Sequence, residues 1–532
     1  MYLKLKFYKF YNFLIFFFIH IYNLRYTWLF TNYINNFYYK KIFTVKKSQI
    51  LVELNFLQSS LIINSYLLKK LLEKYKSEIV LYRNFYSNNF FIKIFIKIIY
   101  FLKLDIFSIY RKIFDVKKVI YPKIYKENHK INNIFINISS SLKSKNDIED
   151  IKINGVHIGD LIYDSYLRIY NEPTIIFEKK FYQYLKKCIS DFIFWEDYFK
   201  NNKIKTVITS HSVYISAIVL RLAVKKNIPV YISSLTNIYR LSKKNLWAYS
   251  EFKNYPNIFS RLKSNQKKKA FSLSKKRLAL RFSGKVGVDM HYSNKSAYSN
   301  VYKRKLIKNS KKIKILIVTH CFFDSPHSYG KNIFPDFYEW LDYLGKISNK
   351  TDYDWYIKLH PDHHPLTMNV INHFLKKYNK FHLLPSDSSH HQIIKEGIDF
   401  ALTVYGSIGH EYPLFNIPVI NATVNNPHIK YKFNVHPRNL SEYKKILLNL
   451  NRISIKTNKN KIFEYYYMAY LFKQDNSSLV NYNQILECIG GYKFQFTSKV
   501  YKYWVSQFKN NILLDRKIER FINNEKNYIL YI

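Results

Sequence analysis

Hydrophobic positions between residues 313 and 421 fall in short runs separated by stretches of helical period. Runs at Ile313–Thr319, Trp355–Leu359, Phe381–Leu384, Ile398–Val404 and Ile417–Asn421 predict strands, with helices near 334–347, 366–378 and 389–396 and from 408. Five strands, each followed by a loop or helix, imply an α/β domain with a doubly wound parallel sheet. A second set lies upstream: Ile50–Leu54, a helical pattern through Leu67, Leu68, Leu71 and Leu72, then Ile79–Tyr82, a helix near 178–200, Thr206–Thr209, a helix around 213–226 and Ile228–Ile232. The chain therefore divides into a basic aromatic segment over 1–45, a first α/β domain over 46–260, a connection over 261–312, a second α/β domain over 313–490, and C-terminal helices over 491–532 that cross back to the first domain. In the connection apolar periodicity fades and Lys, Ser and Asn dominate. There is no short-period repeat.

Charge adds a constraint on partners. Lys plus Arg number 85 against 36 Asp plus Glu, a net charge of +49, which favours phosphates, acidic polysaccharide or anionic lipid. No nucleic-acid module accompanies it, so specific nucleic-acid binding is not expected. The same Lys-, Asn- and Ile-rich bias is also what an AT-rich genome imposes. Cys188, Cys321 and Cys488 lack CxxC spacing, which supports neither a disulfide framework nor a thiolate zinc site and fits a reducing cytoplasm. The run Phe13–Ile19, preceded by Lys4, Lys6 and Lys9, is too short for a bilayer span of roughly 17 to 25 residues, and no small-residue cleavage site follows. It reads as an interfacial segment at the inner face of the cytoplasmic membrane, or as an extension or core helix. Phe90–Leu104, with Lys93, Lys97 and Lys103, has the same two readings.

Candidate chemistry sits where predicted strands end. The run Ala401–Val404 delivers Gly406, Ser407 and Gly409 to a helix start, where unpaired N–H groups make an anion site; Ser407, Ile408 and Gly409 are the donors. Trp355–Leu359 ends near Lys358 and His360, a cation and an imidazole that share a face if the strand persists that far. His320 and Asp324 follow the first strand of the second domain and are placed to contact a phosphate or sugar. Each has a structural alternative: Ser407 as a plain helix cap, Glu411 as a first-turn carboxylate, His360-Pro361 as a strand terminator. His363, His364, His390, His391, His428 and His436 have no acidic partner at ligand spacing, and no metal is expected.

Lys358-Leu-His-Pro361, Gly406-Ser407 with Glu411, and Ile417-Pro-Val-Ile420 together resemble the donor domain of glycosyltransferases with two facing Rossmann-like domains, the GT-B architecture. Thr319–Asp324, Phe334–Trp340 and Gly159–Arg168 look like bacterial capsule and surface-polysaccharide biosynthesis proteins. The likeness covers roughly residues 150 to 440. It implies metal-independent transfer of a sugar from a nucleotide-sugar, with no further cofactor, to an acidic-polysaccharide or lipid-linked acceptor. It also implies that Glu411 holds ribose hydroxyls and that His360 contacts the nucleotide phosphate; the His-Pro pair favours a CMP or CDP donor over UDP. A general base would come from the first domain, where Asp160, Asp164 and His211 are the candidates. A nucleotide-sugar 2-epimerase and a non-catalytic polysaccharide-binding protein remain alternatives.

Overall fold

The computed structural model describes residues 10–11, 14–15, 18–19, 21–38, 45–54, 58–83, 116, 119–122, 128–234, 236–291, 293–475, 482–507 and 512–531. Phe90–Leu104 and the phenylalanines of the 13–19 run other than Phe18 lie outside them.

The strands in chain order are β1 (Val45–Glu53), β2 (Ser77–Tyr82), β3 (Val119–Ile120), β4 (Lys152–Ile153), β5 (Val156–His157), β6 (Ile204–Ile208), β7 (Val230–Ser233), β8 (Asn237–Leu241), β9 (Lys314–Val318), β10 (Asp354–Lys358), β11 (Phe381–Leu383), β12 (Phe400–Thr403), β13 (Val419–Asn421) and β14 (Ile529–Tyr531). Two sheets carry the molecule: one ordered β14-β8-β7-β6-β1-β2-β3, the other β11-β10-β9-β12-β13. Each contains a parallel five-strand core in which the first strand of the unit is flanked by its second and its fourth, the doubly wound Rossmann pattern. The first sheet is extended at one edge by β8 and β14, both antiparallel to their neighbours. The fold is thus α/β with two Rossmann-like domains, the GT-B layout.

The strand runs are continuously apolar because both faces of each sheet are covered. Along β1, Leu51 enters one core with Val80 and Val207, while Ile50 and Val52 enter another with Leu81, Ile208 and Tyr231. The second sheet does the same: Ile315, Ile317, Trp355 and Ile357 face one core, and Leu316, Val318 and Tyr356 face the other. The helix Lys499–Gln507 and the helix Ile512–Asn523 pack on the first domain through Val500, Tyr501, Trp504, Leu514 and Ile518.

The stretch 261–312 is more than a connection. It holds a 19-residue helix, Ser264–Phe282, whose Ala270, Ser274 and Leu278 are its buried residues. A stripe only one residue wide on a lysine-rich helix leaves little periodic signal, which is why the pattern fades in sequence.

The domains meet through polar contacts at the helix Gly159–Tyr170 and the loop after β9. Asp336, which caps the helix Phe337–Ser348, accepts from Tyr163 Oη at 2.6 Å and Thr174 Oγ1 at 2.7 Å. Nearby, His327 bridges Asp164 Oδ1 at 2.5 Å and Glu149 Oε1 at 2.7 Å. No helix among the described residues is long and apolar enough to cross a membrane.

Candidate functional site

In a doubly wound sheet the crevice opens at the carboxyl ends of the two strands where the chain reverses direction of growth. Here those pairs are β1 with β6 and β9 with β12. Glu53 ends β1 and Thr209–His211 follow β6; His320 follows β9 and Tyr405–Ser407 follow β12. The two crevices are joined across the domains by Asp324, whose Oδ1 accepts from Arg168 Nη1 at 3.0 Å and from Tyr214 Oη. Asp324 also acts electrostatically on both His211 and His320, so it lies near both strand ends.

On the second domain, the anion-binding groups gather around a residue the sequence pattern concealed. Arg281, at the end of the helix Ser264–Phe282, donates through Nε to Glu411 Oε1 at 2.6 Å and through Nη2 to Ser407 Oγ at 3.3 Å. With its oxygen accepting from Arg281, the Ser407 hydroxyl is free to donate its proton outward. Ser407 makes no side-chain cap bond to its own helix. His360 is exposed, and its Nδ1 accepts from the Asp362 N–H at 3.0 Å, which leaves Nε2 as the donor. The protein around it lowers its pKa by desolvation, and Lys358 and Arg281 add to that shift. It is therefore a neutral donor at the cleft mouth, within electrostatic reach of Arg281.

Lys358 lies deeper than its spacing implied. β10 ends at Lys358, so the alternation that would align it with His360 stops there, and the side chain follows Tyr356 into the interior. It is 0% exposed, donates from Nζ to Ser386 O at 2.9 Å, and burial pulls its pKa down to about 8. Its charge reaches the crevice as a field from below.

Three expected roles are corrected by position. The Gly409 N–H is spent on Gly406 O at 2.9 Å, and a Cβ there would meet His428 Nε2 at 2.5 Å; close packing, not a phosphate, requires this glycine. The Ile408 side chain is buried, leaving its amide as the backbone donor of the pair. Glu411 is 1% exposed, with Oε2 accepting from Tyr298 Oη at 2.5 Å and Oε1 held by Arg281, so a ribose would reach it only by displacing one of them. Burial opposes its charge, yet Arg281 and His410 keep its carboxyl below the usual range. His320 is likewise occupied: Nε2 accepts from the Val404 and Tyr405 N–H groups at 3.2 Å each and faces Thr403 Oγ1 at 3.1 Å. Burial drives its pKa down to about 3, and it serves as a neutral clamp between the ends of β9 and β12.

Of the three first-domain candidates for a base, the fold withdraws two. Asp160 is 3% exposed and paired with Arg221 Nη2 at 2.5 Å; Asp164 is 1% exposed, with its two oxygens taken by Ser325 and His327. His211 remains: it is exposed at the cleft, and its pKa is lowered, first by desolvation and further by Arg168, against the opposing pull of Glu53 and Asp324. Glu53 is a cleft residue missed in sequence. Its Oε2 accepts from Thr209 Oγ1 at 2.7 Å, Ser210 N at 2.6 Å and Ser210 Oγ at 2.8 Å, tying β1 to the loop that carries His211. A single Glu closing an apolar strand was its only signal.

No family model matches the chain, and no curated protein does. Solved structures similar to it include a UDP-GlcNAc 2-epimerase from Neisseria meningitidis bound to UDP-GlcNAc (11% identity, covering 78% of this chain and 97% of that one, TM-score 0.20). Others are MurG from Acinetobacter baumannii (10%, 81% and 96%, TM-score 0.22) and Anabaena HepE in complex with UDP and glucose (8%, 86% and 98%, TM-score 0.24). Scores this low carry no argument; the strand order and the side-chain geometry do.

Proposed function

We propose that the cleft binds a nucleotide-sugar and transfers its glycosyl unit to a hydroxyl of a surface-polysaccharide acceptor without a metal. The observation that carries this reading is the convergence of Arg281, Ser407 and His360 at the β9–β12 crevice opposite an exposed, neutral imidazole, His211, at the β1–β6 crevice. Glycosyl transfer needs donors aimed at the oxygen on which negative charge grows as the bond from anomeric carbon to phosphate breaks. Arg281, the Ser407 hydroxyl, the Ile408 amide and His360 Nε2 supply them, with the Lys358 charge beneath. In the forming bond the acceptor oxygen attacks the anomeric carbon and its proton passes to His211, while the leaving electron pair goes to the phosphate oxygen. A single displacement of this kind would invert the anomeric centre. Asp324 and Arg168, at the seam between domains, flank the sugar's position.

Calorimetric titration with CMP-, CDP-, UDP- and GDP-sugars tests the reading. At least one binds, with the cytidine nucleotides first in order, and Arg281→Ala or His360→Ala each weakens it by about tenfold or more. Affinity indifferent to both substitutions overturns it. A second reading, a nucleotide-sugar 2-epimerase, draws on the carboxylates Glu53 and Asp324 standing on opposite walls of the cleft. It is distinguished by conversion of the donor sugar with no acceptor added.

A further inference from the structure

Between β6 and the short helix Ile215–Ala217 the chain is tied on both sides of His211. Upstream, Glu53 holds the Thr209 hydroxyl and both the amide and the hydroxyl of Ser210. Downstream, Ser212 is buried with its Oγ accepting from the Ala248 N–H at 3.0 Å, and Val213 is buried next to it. The Ile215 N–H donates to Ser165 Oγ at 2.6 Å, and the Ala217 N–H to Tyr214 O at 2.9 Å. Tyr214 absorbs the mismatch between these anchors. Its backbone sits at φ 64° and ψ 165°, a region that glycine enters freely and that a tyrosine, with a Cβ to crowd the flanking peptide, enters only under constraint.

Strain of this kind persists where other contacts hold it in place. The anchors just named all lie in the first domain. The partner of the Tyr214 side chain does not: Oη donates to Oδ1 of Asp324, in the loop after β9 of the second domain. Arg168 closes the triangle, its Nη1 donating to Tyr214 Oη at 2.5 Å and to Asp324 Oδ1 at 3.0 Å, with the guanidinium carbon 4.9 Å from the Tyr214 ring centroid. Asp324 Oδ1 also accepts from the Ser325 N–H at 2.9 Å, which fixes the carboxylate on its own side of the seam. The Arg168 and Asp324 side chains are 58% and 56% exposed, and an ion pair so open to water is weak enough to part when the domains do. Once the phenol is released, nothing in the second domain opposes relaxation of the Tyr214 backbone, and a rotation there is passed along the chain toward His211. We propose that Tyr214 is a positioning residue: its strained backbone, held by Asp324 across the seam, keeps His211 aimed into the cleft only while the two domains are docked. The proposal rests on the reading of His211 as the base and deepens it, because domain docking and placement of the base become one event.

Tyr214→Phe removes the hydroxyl and keeps the ring, and NMR titration of the full chain then follows the His211 imidazole, its signal assigned by its loss in His211→Gln. In the parent, desolvation and Arg168 lower the His211 pKa while Glu53 and Asp324 oppose them. In Tyr214→Phe the loop relaxes toward water, and the His211 pKa rises toward the ordinary value of about 6.5. In the transfer assay kcat falls about tenfold or more while KM for the nucleotide-sugar stays within about twofold, since the donor-binding groups lie on the second domain, and the acid limb of the rate moves to higher pH. A His211 titration in Tyr214→Phe identical to the parent's overturns the proposal, whether or not the chain turns over a nucleotide-sugar. A shifted titration in a chain that binds no nucleotide-sugar supports the positioning and sinks the transferase reading alone. Tyr214→Gly and Tyr214→Ala separate strain from contact. Both lose the phenol, but only glycine takes this backbone freely, so the Gly variant unfolds at a higher temperature than the Ala variant. Equal unfolding temperatures would remove the strain and overturn the proposal.

Discussion

A lysine with no solvent contact, at the end of a strand whose neighbouring side chains are apolar, is kept charged at a cost to the fold. Depression of the Lys358 pKa from 10.5 to about 8 corresponds to about 3 kcal/mol at neutral pH. Between those two values the unfolded chain binds the proton that the folded chain has released, so this group's penalty is complete below pH 8 and fades as pH rises toward 10.5. Lys358→Met is expected to raise stability by about 1–2 kcal/mol at pH 7, the bond to Ser386 O being lost, while weakening nucleotide binding. Scanning calorimetry at pH 7 and pH 10 checks the sign, because the gain shrinks at the higher pH. A stable variant that binds nucleotide as the parent does would make Lys358 a structural oddity. His211 differs in kind: exposed and already neutral, it costs the fold little. His211→Gln should lower kcat about 100-fold or more with KM nearly unchanged. The parent rate should be level around pH 7 and fall only in acid, below the usual histidine range, since its pKa is lowered.

Elements differ in how much of themselves they write into sequence. Strands covered on both faces leave unbroken apolar runs, and the predicted Ile313–Thr319 and Trp355–Leu359 lie within a residue of β9 and β10. The helix Ser264–Phe282 was illegible because only three of its residues are buried, and with it went Arg281, the group around which the anion-binding side chains assemble. Asp160 and Asp164 misled for a related reason. Their spacing on one helix is visible in sequence, but Arg221 is 61 residues from Asp160 and His327 is 163 from Asp164, and only folding shows that both carboxylates are already taken. The second of these contacts locks one element to another. Burial alone would strip the proton from His327, but Asp164 and Glu149 on either side hold its pKa well above the ordinary value. His327→Gln removes the cation between two buried carboxylates, a loss expected to cost about 3–5 kcal/mol at the domain seam. Calorimetry of this variant should resolve two unfolding transitions where the parent shows one. Nucleotide affinity, built from Arg281, His360 and Ser407, should stay within about threefold. A single transition with unchanged Tm would show that the seam depends on other contacts, Asp336 with Tyr163 and Thr174 first among them.

Across the whole molecule the histidines set the response to acid. Burial holds the His320 pKa at about 3 and those of His410 and His436 at about 4, and pushes His390 and His428 well below the ordinary 6.5. Each is neutral in the fold, whereas the unfolded chain protonates it below about pH 6.5, so each withdraws stability as pH falls from 6.5 toward its folded value. The slope is up to about 1.4 kcal/mol per pH unit for each ring, and all five belong to the second domain. His327 acts in the opposite direction, because its proton is kept in the fold. One raised pKa against these five, with His211, His291, His360 and His382 lowered as well, leaves a net loss on acidification. The chain's net charge of +49 also destabilises the compact state in acid, as carboxylates lose their charge and positive groups repel unopposed. Salt separates the two causes: about 0.5 M NaCl shortens the Debye length to roughly 4 Å and screens surface repulsion, but it does not reach the buried imidazoles. The expected result is a Tm that falls steeply between pH 6.5 and 4.5, above the range of ordinary carboxylates, with the fall persisting in high salt. His410→Gln and His436→Gln should each flatten that fall. A salt-sensitive collapse confined to pH below 4.5 would instead trace acid lability to surface charge, and the buried rings would then be carrying their protons through contacts other than those seen around them.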